Sequence, residues 1–185
     1  ALALRLGHRI SVDLDFFSSA NALGFIDREA LKKSFKSIGS FEIRREDEGT
    51  LHILVAQTAV SFLHYAYPVL KKPSAWEGLL IASLEDIGLM KLGAIIGRGA
   101  KKDFIDLHAI CQHMPLTDLF KTAGKKFKNS GDFALQAARA LVYFDDADND
   151  PMPLLLKPVF WNAIKKYFEQ ETRIAVMGLL GLAQE

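Results

Sequence analysis

The sequence predicts an α+β fold: a small mixed β-sheet core with helices, followed by a helical C-terminal region. Three observations predict it. Ile10, Val12, Leu14 and Phe16 are apolar at every alternate position, the period of a half-buried strand. Two β-forming stretches flank Glu46-Asp-Glu-Gly49, as the arms of a hairpin would. Beyond Pro68, Pro73 and Ser74 the apolar residues recur at helical spacing, so these residues mark the change of regime. The division that follows is 1–72 for the sheet-bearing core and 73–185 for the helical region.

Each element has a local reason. Ala1 to Leu6 reads as a helix, and a chain that opens inside a helix predicts residues upstream. Arg9 to Phe17 is the alternating strand, with Ile10, Val12, Leu14 and Phe16 buried and Ser11, Asp13 and Asp15 on the opposite face. Asp27 is placed to cap a helix running to about Ser37, which Gly39 ends. Phe41–Arg45 and Thr50–Ala56 form the hairpin, and Ala59–Tyr67 a further strand. Ser83-Leu-Glu-Asp86 has capping-box spacing and opens a helix carrying Ile87, Met90, Leu92 and Ile95. Gly97 and Gly99 turn the chain into a helix over Lys101–Gln112, and further helices are expected at Leu116–Lys126, Asp132–Tyr143 and Pro158–Met177. The acidic stretch Asp145 to Asp150 is expected to be a mobile surface loop.

Composition bounds the function. Half of the 185 residues are hydrophobic and 24% are charged, which suits a folded chain with a substantial core. The single cysteine, Cys111, excludes an internal disulfide and suits a reducing compartment. It falls on the apolar side of a helix, which argues against a catalytic thiol. The longest apolar run, Val176 to Ala183, is too short to span a bilayer. No secretory signal pattern is present, so the expected location is the cytoplasm, away from membranes. The net charge of +1 conceals two basic clusters, Arg98/Lys101/Lys102 and Lys121/Lys125/Lys126/Lys128. Such clusters either meet phosphates or form a solvated helix face.

Asp13 and Asp15 carry the strongest chemical signal. Side chains at i and i+2 of a strand lie about 6 to 7 Å apart on one face, so two carboxylates there repel unless a cation lies between them. Magnesium fits: it takes one or two carboxylates and fills its shell with water and substrate phosphate. The competing reading is two solvated carboxylates, set against the poor strand propensity of Asp. A second constellation lies further on. Lys91 and Arg98 are seven residues apart and share a helix face, followed by Lys102, Asp103 and Asp106. A surface salt-bridge cluster, with Lys102 and Asp106 paired at i, i+4, would account for the last residues. Lys91 sits among Met90, Leu92, Ile95 and Ile96, where a lysine must be paired or face a cleft. His8 and His64 are candidate phosphate or base contacts. The remaining histidines offer no metal-ligand spacing beyond the off-register His108 and His113.

The stretch from Ala1 to Phe17, with its Ser-Val-Asp-Leu-Asp, resembles the first motif of the nucleotidyltransferase toxins of the AbiEii and MenA type, within the DNA polymerase β-like superfamily. Ala82 to Leu107, ending in Lys-Asp-Phe-Ile-Asp-Leu, resembles their later Lys-and-Arg motif. The resemblance implies a nucleotidyltransferase core that moves a nucleoside monophosphate from a nucleoside triphosphate to an acceptor hydroxyl, with tRNA a candidate acceptor and a cognate antitoxin a candidate partner. It implies Mg2+ on Asp13 and Asp15, catalytic roles for Asp13, Asp15, Lys91 and Asp106, and nucleotide contacts from Ser11, Lys91, Arg98, Lys102 and Asp103. Asp103 or Asp106 would serve as a base or as an anchor for Lys91 or Arg98.

The chain departs from the pattern in two respects. Relatives place Gly-Gly-Thr or Gly-Ser just before the helix that Ala1 starts, where the backbone would cradle the triphosphate. Ser61 stands where the wider superfamily has a third carboxylate on a later strand. The alternative reading is a degenerate member of the same fold that binds a protein or RNA partner. A metal-dependent phosphodiesterase is a third, since paired aspartates also serve hydrolysis.

Overall fold

Four strands form one mixed sheet in a computed structural model that describes residues 1–128 and 130–182. The strands are β1 (Asp13–Ser18), β2 (Phe41–Asp47), β3 (Thr50–Val55) and β4 (Thr58–His64), in the order β1-β4-β3-β2. β1 runs parallel to β4, whereas β3 is antiparallel to both of its neighbours. The β2–β3 turn needs Gly49, at φ +73°, where a Cβ would also meet the His64 Cβ at 3.3 Å. Ala56 and Gln57 both adopt positive φ, as a two-residue hairpin turn between β3 and β4 demands. Between β1 and β2 runs helix α2 (Phe25–Ile38). Its Leu31 and Phe35 pack with Phe16, Phe62, Leu51, Ile53 and Val60, and Phe16 stacks on Phe62 at 5.2 Å. These elements make one compact unit, Ser11–Pro68.

The other unit comprises Ala1–Ile10 and the chain from Val69 onward, whereas the sequence reading drew its boundary at 72/73. It contains α1 (Leu2–Leu6), a hairpin of β5 (Ser74–Trp76) and β6 (Leu79–Ile81), and helices α3 (Leu84–Arg98), α4 (Lys101–Cys111), α5 (Leu116–Lys126), α6 (Phe133–Leu141), α7 (Asp145–Asn149) and α8 (Trp161–Leu179). Its core is a continuous cluster including Leu89, Leu92, Phe104, Leu107, Leu119, Ile164 and Phe168. Phe104 lies at its centre, with the rings of Phe144, Trp161 and Phe168 at 5.4, 5.7 and 5.8 Å. α3 is capped by Ser83, whose hydroxyl accepts from the Asp86 N–H at 3.0 Å, and closes at Gly99 in the left-handed region. A Cβ at Gly88 would meet Leu119 at 2.9 Å, so the glycine permits α3 to lie against α5. No helix among the described residues is long and apolar enough to cross a membrane.

The α+β class and most elements agree with the sequence reading, and several particulars differ. The regular strand begins at Asp13, not Arg9. Arg9 instead bridges to Leu155, and the Ile10 N–H bonds the Leu154 carbonyl. Val12 is 74% exposed and Leu14 50% exposed, so of the alternating apolar residues only Phe16 joins the sheet core. Gly24, not Asp27, is the N-cap of α2, and Asp27 reaches back to the Gly24 N–H from the third helical position. α6 is shorter than the Asp132–Tyr143 expected, and α8 starts at Trp161 rather than Pro158.

The acidic stretch is a helical turn, not a loose loop. Ala147 is fully buried there, Asp148 accepts from Trp161 and Lys165, and Asp150 accepts from the Lys101 N–H at 2.9 Å. The short β5–β6 hairpin has no counterpart in the sequence reading. Its Glu77-Gly78 turn, with both φ positive, was the available signal.

Candidate functional site

Two groups of polar residues stand apart from the cores, one in each unit. On β1, the period of two puts Asp13 and Asp15 on the face opposite Phe16. Asp13 is half-buried and Asp15 exposed. Ser11 donates from its hydroxyl to Asp13 Oδ1 at 3.0 Å. Asp15 is in register with Ser61 on β4, and Ser61 with His52 on β3. Ser61 is buried, its Oγ 2.9 Å from His52 Nδ1. A row of Asp15, Ser61 and His52 therefore crosses three strands on one face. His52 was not singled out from sequence, although the β3–β4 hairpin register would have put it beside Ser61.

The second group is built on α3 and α4. Gly99 and Ala100 turn the chain so that Asp103 faces back toward α3, where Lys91 Nζ reaches Asp103 Oδ1 at 2.8 Å. Arg98 donates to the same carboxylate through Nε at 2.8 Å and an Nη at 3.2 Å. In place of the solvated Lys102–Asp106 pair suggested by their spacing, Asp106 is 1% exposed. Its Oδ2 accepts from Lys91 Nζ at 2.6 Å. Arg9 grips both of its oxygens, at 2.6 and 2.9 Å, and His8 Nε2 lies 2.7 Å from Oδ1. Three permanent cations, Arg9, Lys91 and Arg98, thus meet two carboxylates.

Burial opposes ionisation of Lys91, Asp103 and Asp106 and is outweighed. Arg98 and Lys91 hold Asp103 below the usual carboxylate range, and Arg9, His8 and Lys91 hold Asp106 well below it. Asp106 and Asp103 in turn raise Lys91 above its ordinary value despite its burial. Asp106 is consequently a poor proton acceptor and a strong anchor.

The cluster brings together Lys91, Arg98, Asp103 and Asp106 as the spacing suggests. His8 and Arg9, more than ninety residues earlier, carry no local signal of their role there. His8, a candidate phosphate or base contact by sequence, commits one of its nitrogens to Asp106.

Other expected features resolve differently. Lys126, grouped from sequence with a solvated basic face, is 2% exposed and pairs with buried Asp86 at 2.9 Å. Asp86 also accepts from the Leu70 and Lys71 N–H groups and from Ser83. Lys101 is buried and donates to backbone carbonyls of Asp148 and Asp150. Burial pushes the Cys111 thiol up to about 12, in keeping with an inert cysteine. Among the described residues, no group of three or more His, Cys, Asp or Glu could hold a metal ion.

No family model matches the chain. The uncharacterized protein aq_aa25 of Aquifex aeolicus is 32% identical over 177 residues, covering 94% of this chain and 83% of that protein. A crystal structure of a "putative nucleotidyltransferase from H. pylori" aligns over 100% of this chain and 88% of its own, with 16% identity and a TM-score of 0.52. JHP933 from Helicobacter pylori aligns over 94% of this chain and 78% of its own, with 15% identity and a TM-score of 0.49. The fold is nucleotidyltransferase-like.

Proposed function

We propose that this chain, which belongs to the family of the Aquifex aeolicus protein aq_aa25, is a magnesium-dependent nucleotidyltransferase of the toxin type. It moves a nucleoside monophosphate from a nucleoside triphosphate to an acceptor hydroxyl, with tRNA the candidate acceptor, the cytoplasm its site of action and an antitoxin its regulatory partner. The observation that carries this reading is the Asp13–Asp15 pair on the polar face of β1, in a nucleotidyltransferase-like fold.

The residues on that face fit the metal. Two carboxylates with Ser61 beside them suit a hard cation that takes few protein ligands and completes its shell with water and phosphate. When bound, magnesium supplies charge stabilisation to the attacking and leaving oxygens of phosphoryl transfer. Asp13 and Asp15 hold it, and Ser11 orients Asp13. Lys91, Arg98 and Lys102 are the nucleotide contacts of this proposal, since fixed cations favour a transition state that carries phosphate charge. Asp103 accepts from both Lys91 and Arg98, and Asp106 from Lys91, so that Lys91 is kept charged and in place.

Incubation of the protein with each labelled nucleoside triphosphate, magnesium and bulk tRNA tests the reading. Label should pass to tRNA, and an Asp13→Ala, Asp15→Ala double variant should transfer at least about 100-fold less. Equal transfer by both proteins would remove the metal role. One observation favours a second reading: Ser61 in the register position beside Asp15 leaves the face with two carboxylates, as in a degenerate member that binds a protein or RNA. Robust transfer eliminates it, while release of label to water alone would indicate a phosphodiesterase.

A further inference from the structure

We propose that Ser61 and His52 form a proton relay for the transfer reaction: the Ser61 hydroxyl takes the proton of the attacking acceptor hydroxyl and passes its own to His52 Nδ1. The inference rests on the nucleotidyltransferase reading and adds to it two side chains that the Asp13–Asp15 pair does not include. Attack on phosphorus releases a proton, and the aspartates are poor recipients for it. Asp103 and Asp106 are engaged by Lys91, Arg98, Arg9 and His8 and are held below the usual carboxylate range. Asp13 and Asp15 hold the cation under that reading, and a carboxylate beside a cation is a weak proton acceptor.

Register supplies a better one. Asp15, Ser61 and His52 are cross-strand neighbours on one face of the unit Ser11–Pro68, at the roughly 5 Å spacing of adjacent strands. Ser61 is thus the residue next to Asp15 across the sheet, and His52 the one beyond. Ser61 Oγ lies 2.9 Å from His52 Nδ1, within reach for proton transfer. Neither side chain has another hydrogen bond among the described residues. The one proton of the Ser61 hydroxyl is therefore donated to Nδ1, which leaves the neutral ring's own proton on Nε2.

In that arrangement Nδ1 is ready to receive a proton, and the Ser61 oxygen keeps lone pairs for the proton of a second hydroxyl. Ser61 is buried to 8% exposure, so the acceptor's proton reaches it directly or through one water. His52 is half-buried, and its unpartnered Nε2 is not among the buried polar atoms of the described residues that lack a partner, which are His8 Nδ1 and Thr172 Oγ1. Nε2 therefore meets solvent. In the step itself the attacking oxygen forms its bond to the α-phosphorus, the bond to the bridging oxygen breaks, and pyrophosphate leaves with that electron pair. The acceptor's proton moves to Ser61 and the Ser61 proton to His52 Nδ1. The imidazolium then loses a proton to water.

The test uses the full chain with magnesium, labelled nucleoside triphosphate and bulk tRNA. Ser61→Ala and His52→Asn should each lower kcat at least about 100-fold, while KM for the nucleotide and its calorimetric affinity stay within about twofold. The double variant should lose little more than either single one, since the two residues act as a unit. Added imidazole should restore transfer by folded His52→Ala at least about tenfold. In wild-type protein with 15N-labelled histidine the His52 ring should carry its proton on Nε2, and Ser61→Ala should shift the Nδ1 resonance, a readout that needs no turnover. The relay is overturned if both variants transfer at the wild-type rate, if they lose nucleotide affinity as much as rate, if imidazole restores nothing, or if the wild-type ring is protonated at Nδ1 instead. Each of these leaves the nucleotidyltransferase reading standing. A wild type that moves no label overturns that reading and the relay with it.

Discussion

Two aspartate pairs in this chain differ in almost every physical respect except residue type. Asp13 and Asp15 lie two apart on a strand face, one half-buried and one exposed. Asp103 and Asp106 lie three apart on α4, buried to 0% and 1% exposure, with three cations and an imidazole arranged around them. A carboxylate that is to receive a ligand must keep an oxygen accessible, whereas one that positions a lysine must have its oxygens spoken for. The same side chain serves opposite ends depending on how much of its hydrogen-bonding capacity the fold has already used.

The comparison breaks most readily at Asp106. Asp106→Ala leaves Lys91, Arg9 and His8 gathered around a missing charge, and removing one partner of a buried ion cluster costs about 3–5 kcal/mol. Urea unfolding should show a loss of that size. A loss below about 1 kcal/mol would mean that the cluster is wetter than its burial indicates. Lys91→Met should cost less, about 1–3 kcal/mol, because Arg9 remains on Asp106 and Arg98 on Asp103. Under the proposed function this milder variant still loses nucleotidyl transfer, which separates the role of Lys91 from that of its anchors.

Acid separates the two pairs by another route. Asp103 and Asp106 are held below the usual carboxylate range in the folded protein, so the folded chain binds fewer protons than the unfolded one. Their contribution is complete above the unfolded value of about 3.9 and is lost as pH falls below it toward the depressed folded values. Stability measured between about pH 5 and pH 2 should therefore fall steeply, and Asp103→Asn should flatten that limb. An unchanged acid limb would show that other carboxylates govern it.

How much of this could be read from sequence follows from the range of the forces involved. The α5 helix over Leu116–Lys126 and the Ser83 cap of α3 agree with expectation, because amphipathic spacing and caps act within a few residues. The β2–β3 hairpin agrees for the same reason. Alternation from Arg9 misled because a long-range partner, Leu154–Leu155, takes up the backbone of Arg9 and Ile10, and no local pattern reports that. Lys126 looked solvated for want of knowledge that Asp86, forty residues earlier, would be buried opposite it. In the candidate site, spacing within α3 and α4 was enough to group Lys91, Arg98, Asp103 and Asp106. The grip of His8 and Arg9 on Asp106 spans 98 and 97 residues and exists only once the chain has folded.

The smallest expected effect sharpens the comparison furthest. Asp13→Ala removes a half-buried carboxylate that accepts from Ser11, and the loss of a partly exposed acceptor of this kind costs about 1 kcal/mol. Ser11 loses its acceptor but, lying exposed, can turn its hydroxyl to water. Stability in the absence of metal should thus fall by no more than about 1 kcal/mol. Added magnesium should stabilise the wild type against thermal unfolding and leave the variant where it was, since a ligand stabilises only the state that binds it. A variant that unfolds as easily as Asp106→Ala would place Asp13 among the structural carboxylates. A variant that still responds to magnesium would move the metal away from β1.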